Sequence, residues 1–96
     1  MATIDVRRSH QLTKDAARTK AEELARDMQQ KLGLDWRWEG DQIKFQAPGG
    51  AAKGTTGVVD VNDREVRVQI DLPFLLRAMK GTIETKVREK LERALG

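Results

Sequence analysis

Val66, Val68, Ile70 and Leu72 alternate with Glu65, Arg67, Gln69 and Asp71. Successive side chains of a strand point to opposite faces, so this stretch has one apolar face and one wet face. The same period of two recurs along the chain. Ile4 and Val6 alternate with Thr3, Asp5 and Arg7 over residues 2–8. Leu34, Trp36 and Trp38 alternate with Asp35, Arg37 and Glu39, and Ile43, Phe45 and Ala47 with Gln42, Lys44 and Gln46. Val59 and Val61 carry it further. Strands covered on both faces would be apolar throughout, as in parallel sheets. Strands apolar on one face only predict an antiparallel sheet with one solvated side.

Two helices supply the cover for the other side. Residues 13–32 place Ala17, Ala21, Leu24, Met28 and Leu32 on one stripe at spacings of three and four. Thr13 is the predicted N-cap, because its hydroxyl can accept from a free backbone N–H of the first turn. Gly33 is the predicted stop, since it enters the left-handed region without a Cβ penalty. A final helix is predicted from Pro73, with Leu76, Met79, Ile83, Val87 and Leu91 as its stripe. Steps of four residues turn about 400°, so that stripe drifts by about 40° per step. Lys90 falls within its arc. The last turns are therefore expected to run past the sheet edge or to meet a partner, a second copy included.

The order is β-α-β-β-β-β-α, an α+β fold. Gly40-Asp41 and Asn62-Asp63 are turn chemistry, and residues 48–57 (PGGAAKGTTG) read as a mobile Gly-rich loop. Short turns make strands two to five a meander. Strand one then pairs with strand five, giving a five-stranded antiparallel sheet of order 1-5-4-3-2 with both helices on one face. The 96 residues are expected to form a single domain over 1–96. This topology resembles a small helix-grip fold, in which a long C-terminal helix lies across a curved antiparallel sheet. That resemblance implies an apolar ligand held between sheet and helix.

Composition excludes several chemistries. The chain has no cysteine and one histidine, so disulfides, thiolate metal sites and His-rich centres are out of reach. His10 lies beside Ser9 in the first connection, where a loop or capping role is expected. Glu22-Glu23, Glu84, Glu89 and Glu92 have basic neighbours three or four residues away and read as solvated helix faces. Gly49 to Gly54 has the glycine spacing of a phosphate loop, but Thr55-Thr56 follows where Lys-Thr is needed, and a strand follows in place of a helix. No catalytic residue, cofactor or metal is expected. No apolar run approaches 18 residues, so no membrane span is expected. The opening Met1–Asp5 lacks the regions of a signal peptide, and a cytoplasmic protein is expected.

The formal charge is +3, and residues 73–96 carry all of the excess. A small excess mixed with acids binds a phosphate backbone weakly. Trp36, Trp38 and Phe45 share the apolar register, leaving no aromatic on the open face to stack a base. Nucleic acid is thereby disfavoured. Trp36 and Trp38 either fill the core or line an apolar cavity, and each buried indole N–H needs an acceptor. On an ideal helix Phe74 falls opposite the stripe and Leu75 on its flank. Either Phe74 folds back onto the sheet end, or the two form an exposed apolar spot for a ligand or partner.

Trp38-Glu39-Gly40-Asp41, Gly57-Val58-Val59-Asp60-Val61, Leu72-Pro73-Phe74-Leu75-Leu76, and Lys80-Gly81 followed by Ile83-Glu84 resemble the polyhydroxyalkanoic acid system family. The opening Ile4-Asp5-Val6-Arg7-Arg8 and the Ala-rich first helix fit it too, so the resemblance spans nearly the whole chain. It implies genes near those of polyhydroxyalkanoate storage and association with the granule or a granule protein. It supplies no catalytic residues. The expected function is a non-enzymatic accessory protein of that storage, binding a granule surface, a partner protein or a small apolar ligand. The alternatives are a small helix-grip enzyme acting on an acyl substrate and a weak nucleic-acid-binding module.

Overall fold

A computed structural model describes residues 3–50 and 52–95. Its elements are β1 (Ile4–Ser9), α1 (Lys14–Leu32), β2 (Asp35–Glu39), β3 (Gln42–Gln46), β4 (Thr56–Val61), β5 (Glu65–Asp71), a 3-10 segment (Phe74–Met79) and α2 (Lys80–Leu95). The strands form one antiparallel sheet of order β1-β5-β4-β3-β2. This is the expected α+β architecture, strand for strand. Ala2 of the expected first strand and Ala51 of the expected loop lie outside the described residues.

Register follows the apolar alternation. Ile4 stands opposite Ile70, and Val6 opposite Val68. Val59 also stands opposite Val68, and Ile43 opposite Val59. Shifting any pairing by one residue would turn these side chains to water, so burial on one face fixes the register. Ile4, Val6, Ile43, Val59, Val66, Val68 and Ile70 are buried beneath Ala17, Ala21 and Leu24 of α1 and Val87 and Leu91 of α2.

Helix α1 begins as its cap chemistry requires. Thr13 Oγ1 accepts from the Ala16 N–H at 3.1 Å. It ends at Gly33, whose φ of 68° lets its N–H reach Gln29 O. The open face of the sheet is paired within itself. Arg67 holds Asp5 through two hydrogen bonds of 2.9 and 2.6 Å, and Gln42 donates to Asp60 at 2.5 Å.

Two expectations need correction. The final helix does not run unbroken from Pro73. Its first six residues, Phe74–Met79, are 3-10, and only the sixteen from Lys80 are α-helical. Neither Pro73 nor any acidic side chain caps that first turn. Sixteen residues span about 24 Å, close to the length of the strands beneath. Lys90 is accounted for within the chain. It reaches across to α1 and pairs with Asp27 at 2.5 Å, so its place in the apolar arc reflects a helix-helix contact.

Candidate apolar binding site

A concavity of about 500 Å3 lies on the open face among Arg37, Lys44, Gln46, Gln69 and Asp71. Its walls mix these charged and amide groups with Trp36, Phe45 and Val58, and Lys44 already pairs with Glu39 at 3.4 Å. The apolar site lies on the other side of the sheet. There a cavity of about 310 Å3 sits between the sheet and the two helices. Its floor is Leu34, Phe45, Ile70 and Leu72 from the sheet side. Met28 and Leu32 of α1 close one flank, and Leu76, Met79, Ile83 and Val87 close the other. Leu32 and Met79 are about half exposed, so the mouth is apolar as well. A smaller void of about 20 Å3, walled by Trp36, Leu24 and Val59, adjoins it.

The floor exists because of one glycine. Gly57 stands opposite Phe45 in the β3–β4 ladder. A Cβ on Gly57 would lie 2.2 Å from Phe45 Cζ. The ring therefore lies over the strand where a side chain would otherwise be, and Phe45 forms part of the cavity wall.

Among the described residues the polar ones on its wall are Thr55, Lys86 and Lys90. Lys90 is held by Asp27. Lys86 is exposed, and among the described residues no carboxylate pairs with it. Thr55 is 8% exposed, and among the described residues its Oγ1 has no hydrogen-bond partner. Its backbone is tied down on both sides, by Ala47 N to Thr55 O at 2.8 Å and Thr55 N to Ala52 O at 3.0 Å. A buried polar group without a partner costs about 1–3 kcal/mol.

Trp36 and Trp38 face α1 and are half-buried. Their indole N–H groups donate to Gln29 Oε1 and Glu22 Oε1 respectively, each at 3.0 Å. The Arg18 guanidinium stacks 4.0 Å over the Trp38 ring. It also donates to Gly40 O at 2.9 Å and to Asp41 at 2.7 Å, and Lys14 pairs with the same carboxylate. These contacts hold the Asp41 carboxyl below its ordinary value, the Lys14 hydrogen bond being the largest cause. The Trp-Glu-Gly-Asp stretch is thus a clamp between the β2–β3 turn and α1, and Trp38 stands apart from the apolar cavity. Glu22, read from the sequence as part of a solvated face, is its anchor. Only the period of α1 against the strand could have pointed to it.

Phe74 and Leu75 are 80% and 87% exposed. They project outward from the same 3-10 segment whose Leu76 and Met79 wall the cavity. The apolar tip and the cavity mouth therefore belong to one element. His10 does a structural job at the far end of the sheet. Leu12 N–H donates to its Nδ1 at 3.2 Å, which leaves the proton on Nε2 to meet Asn62 O at 2.8 Å. Among the described residues no cluster of acids and histidine could hold a metal ion. No helix among them is long and apolar enough to cross a membrane.

Fold and site together define a small α+β protein with an apolar cavity between an antiparallel sheet and two helices. The sequence model of the family described as "Putative polyhydroxyalkanoic acid system protein" matches residues 4–95, and the chain belongs to that family. Membership fits an accessory place in polyhydroxyalkanoate storage. No curated protein and no solved structure matches the chain.

Proposed function

We propose that the protein is a non-enzymatic accessory protein of polyhydroxyalkanoate storage that docks on the granule through Phe74 and Leu75. One observation carries the reading: two large apolar side chains stand 80% and 87% exposed on the segment whose Leu76 and Met79 wall an apolar cavity, on a chain that is 34% charged. Isolated exposed apolar residues are ordinary, whereas a cluster beside an apolar opening marks a contact surface. Burying both side chains in an aliphatic polyester would contribute about 1.5–3 kcal/mol each. The non-enzymatic part is supported by His10, the chain's sole histidine, whose ring nitrogens are both engaged by backbone groups.

The test is sedimentation of the protein with isolated granules. The wild type should pellet with them. Phe74→Asp combined with Leu75→Asp should stay in the supernatant while melting at an unchanged temperature. Equal pelleting of both proteins would refute the reading. So would a variant that only converts a dimer to a monomer in sedimentation velocity, because the tip would then be a self-association surface.

A further inference from the structure

We infer that the tip formed by Phe74 and Leu75 seats on a leaflet of anionic phospholipid, with Lys53, Arg77 and Lys80 meeting the headgroup phosphates around it. The inference rests on the docking reading for the use of that tip as the contact, and goes beyond it in naming what the tip enters.

Winding is the first argument. Residues three apart eclipse in a 3-10 helix, so Phe74, Arg77 and the following Lys80 stand in one column and Leu75 and Ala78 in the next. All five are exposed. Arg77 Nε reaches back to Leu72 O at 3.4 Å, which leaves its two terminal nitrogens for another partner. The Gly-rich loop brings a third cation. A Cβ placed on Gly54 would lie 3.3 Å from Pro73 Cβ, and Ala52 shares a wall with Leu76 and Met79. Lys53, exposed between Ala52 and Gly54, therefore belongs to the same end of the molecule.

Charge is the second argument. Most Lys and Arg side chains are held by carboxylates, but among the described residues none pairs with Lys53, Arg77 or Lys80. Residues 72–83 contain Arg77 and Lys80 and no acid. Of the flanking acids, Asp71 lines the concavity on the open face, and Glu84 pairs with Arg88 at 3.9 Å. Positive charge that is mixed with acids along α2 is therefore unmixed at the tip.

The combination selects the partner. A bare polyester buries Phe74 and Leu75 but offers no anion to the cations. A nucleic acid offers phosphates but no hydrocarbon for Leu75. An anionic leaflet offers both. A single apolar anchor attaches marginally and reversibly, and a basic patch beside it is the second signal that makes attachment stable.

Pelleting of the full-length protein with sucrose-loaded vesicles tests this, comparing phosphatidylcholine alone with equal parts phosphatidylcholine and phosphatidylglycerol. At about 0.1 M salt the mixed vesicles should bind more tightly by on the order of a hundredfold, since each cation near an anionic surface contributes about fivefold. That preference should shrink at about 0.5 M salt, where screening shortens the reach of the headgroup charge. Lys53→Gln, Arg77→Gln and Lys80→Gln should each weaken binding to the mixed vesicles about fivefold without lowering the melting temperature. Arg64→Gln removes an exposed cation from the turn before β5, at the opposite end of that strand, and should change binding by less than about twofold. Phe74→Asp combined with Leu75→Asp should abolish binding to both vesicles.

Equal binding to the two vesicle types overturns the inference. So does a loss in Arg64→Gln as large as in Arg77→Gln, because net charge rather than the tip would then be responsible. Tighter binding to a single-stranded oligonucleotide than to the anionic vesicles, at equal phosphate concentration, overturns it as well. Granule sedimentation separates this inference from the docking reading. Pelleting with granules but not with anionic vesicles sinks the lipid assignment alone. Binding to anionic vesicles without granule pelleting sinks granule docking alone.

Discussion

Gly57→Ala should destabilise the protein, although alanine suits a strand better than glycine. The added Cβ would lie 2.2 Å from Phe45 Cζ and 2.7 Å from both Phe45 Cε2 and the Gln69 carbonyl oxygen. Gln69 belongs to β5, which pairs with β4 on one side and β1 on the other, so its carbonyl cannot retreat without disturbing the ladder. The Phe45 ring must therefore move, and it is buried. Overpacking of this kind costs about 1–3 kcal/mol. Expelling the ring altogether would approach the loss from truncating a buried Phe, about 3–5 kcal/mol. The smaller backbone entropy loss of alanine returns about 0.5–1 kcal/mol. The net is about 1–2 kcal/mol if the ring shifts in place, with about 4 as the upper bound if it is expelled. For a domain of this size each kcal/mol moves the melting midpoint by about 4–8 °C, so a fall of roughly 5–15 °C is expected. Urea unfolding at 25 °C gives the free energy directly. The paired control is Phe45→Leu in the Gly57→Ala background, which should recover part of the loss through a coupling of at least about 0.5 kcal/mol. If Gly57→Ala unfolds within 0.5 kcal/mol of wild type, the ring does not lie over the strand and the cavity floor is wrongly drawn.

Gly81→Ala should act in the opposite direction, raising stability by about 0.5–1 kcal/mol, since Gly81 sits in α2 with nothing within 4 Å of a Cβ placed there. Thr13→Ala should cost about 0.5–2 kcal/mol in urea unfolding through loss of the cap hydrogen bond to Ala16. Trp36→Ala and Trp38→Ala should each cost about 1.5–3 kcal/mol, less than a fully buried ring, because both indoles are half wet. Asp27 lies below its ordinary value of 3.8, chiefly because Lys90 hydrogen-bonds it. A carboxylate lowered in the folded state stabilises fully above its unfolded value and ceases to do so as pH falls through its folded value. Stability should therefore be lost below about pH 4, and Asp27→Asn should flatten that part of an acid titration of the melting midpoint.

The sheet was legible because one physical rule decided every strand. With one face buried, period-two alternation sets both the strand and its register, and Ile4 opposite Ile70 or Ile43 opposite Val59 leaves no choice. Thr13 and Gly33 were legible because cap geometry is local. What failed depended on groups distant in sequence. Lys90 looked like an interruption of an apolar stripe because its partner Asp27 is 63 residues away. Gly57 read as the end of a flexible loop, although its role follows from an aromatic ring on the neighbouring strand. Thr55 carried no sequence signal, since an unpaired hydroxyl is visible only once everything around it has been placed.

The candidate site was half legible for a reason that lies in helix geometry. On an α-helix each residue turns about 100°, which puts Leu76 and Met79 about 60° apart and Phe74 opposite the stripe. In a 3-10 helix each residue turns about 120°, so residues three apart eclipse. Leu76 and Met79 then stand on one face, and both wall the cavity. Counting back from Met79 by the same rule puts Leu75 and Phe74 about 120° to either side of that face. Their exposures of 87% and 80% fit that outward placement. The tighter winding after Pro73 thus does two things at once: it aligns two side chains inward over the apolar cavity and turns two outward. A continuous α-helix from Pro73 would have set Leu75 on the flank of the cavity and left Phe74 alone outside. The wall of the cavity and the exposed tip are therefore consequences of one backbone choice, and any substitution that restores α-helical winding across Phe74–Met79 would alter both.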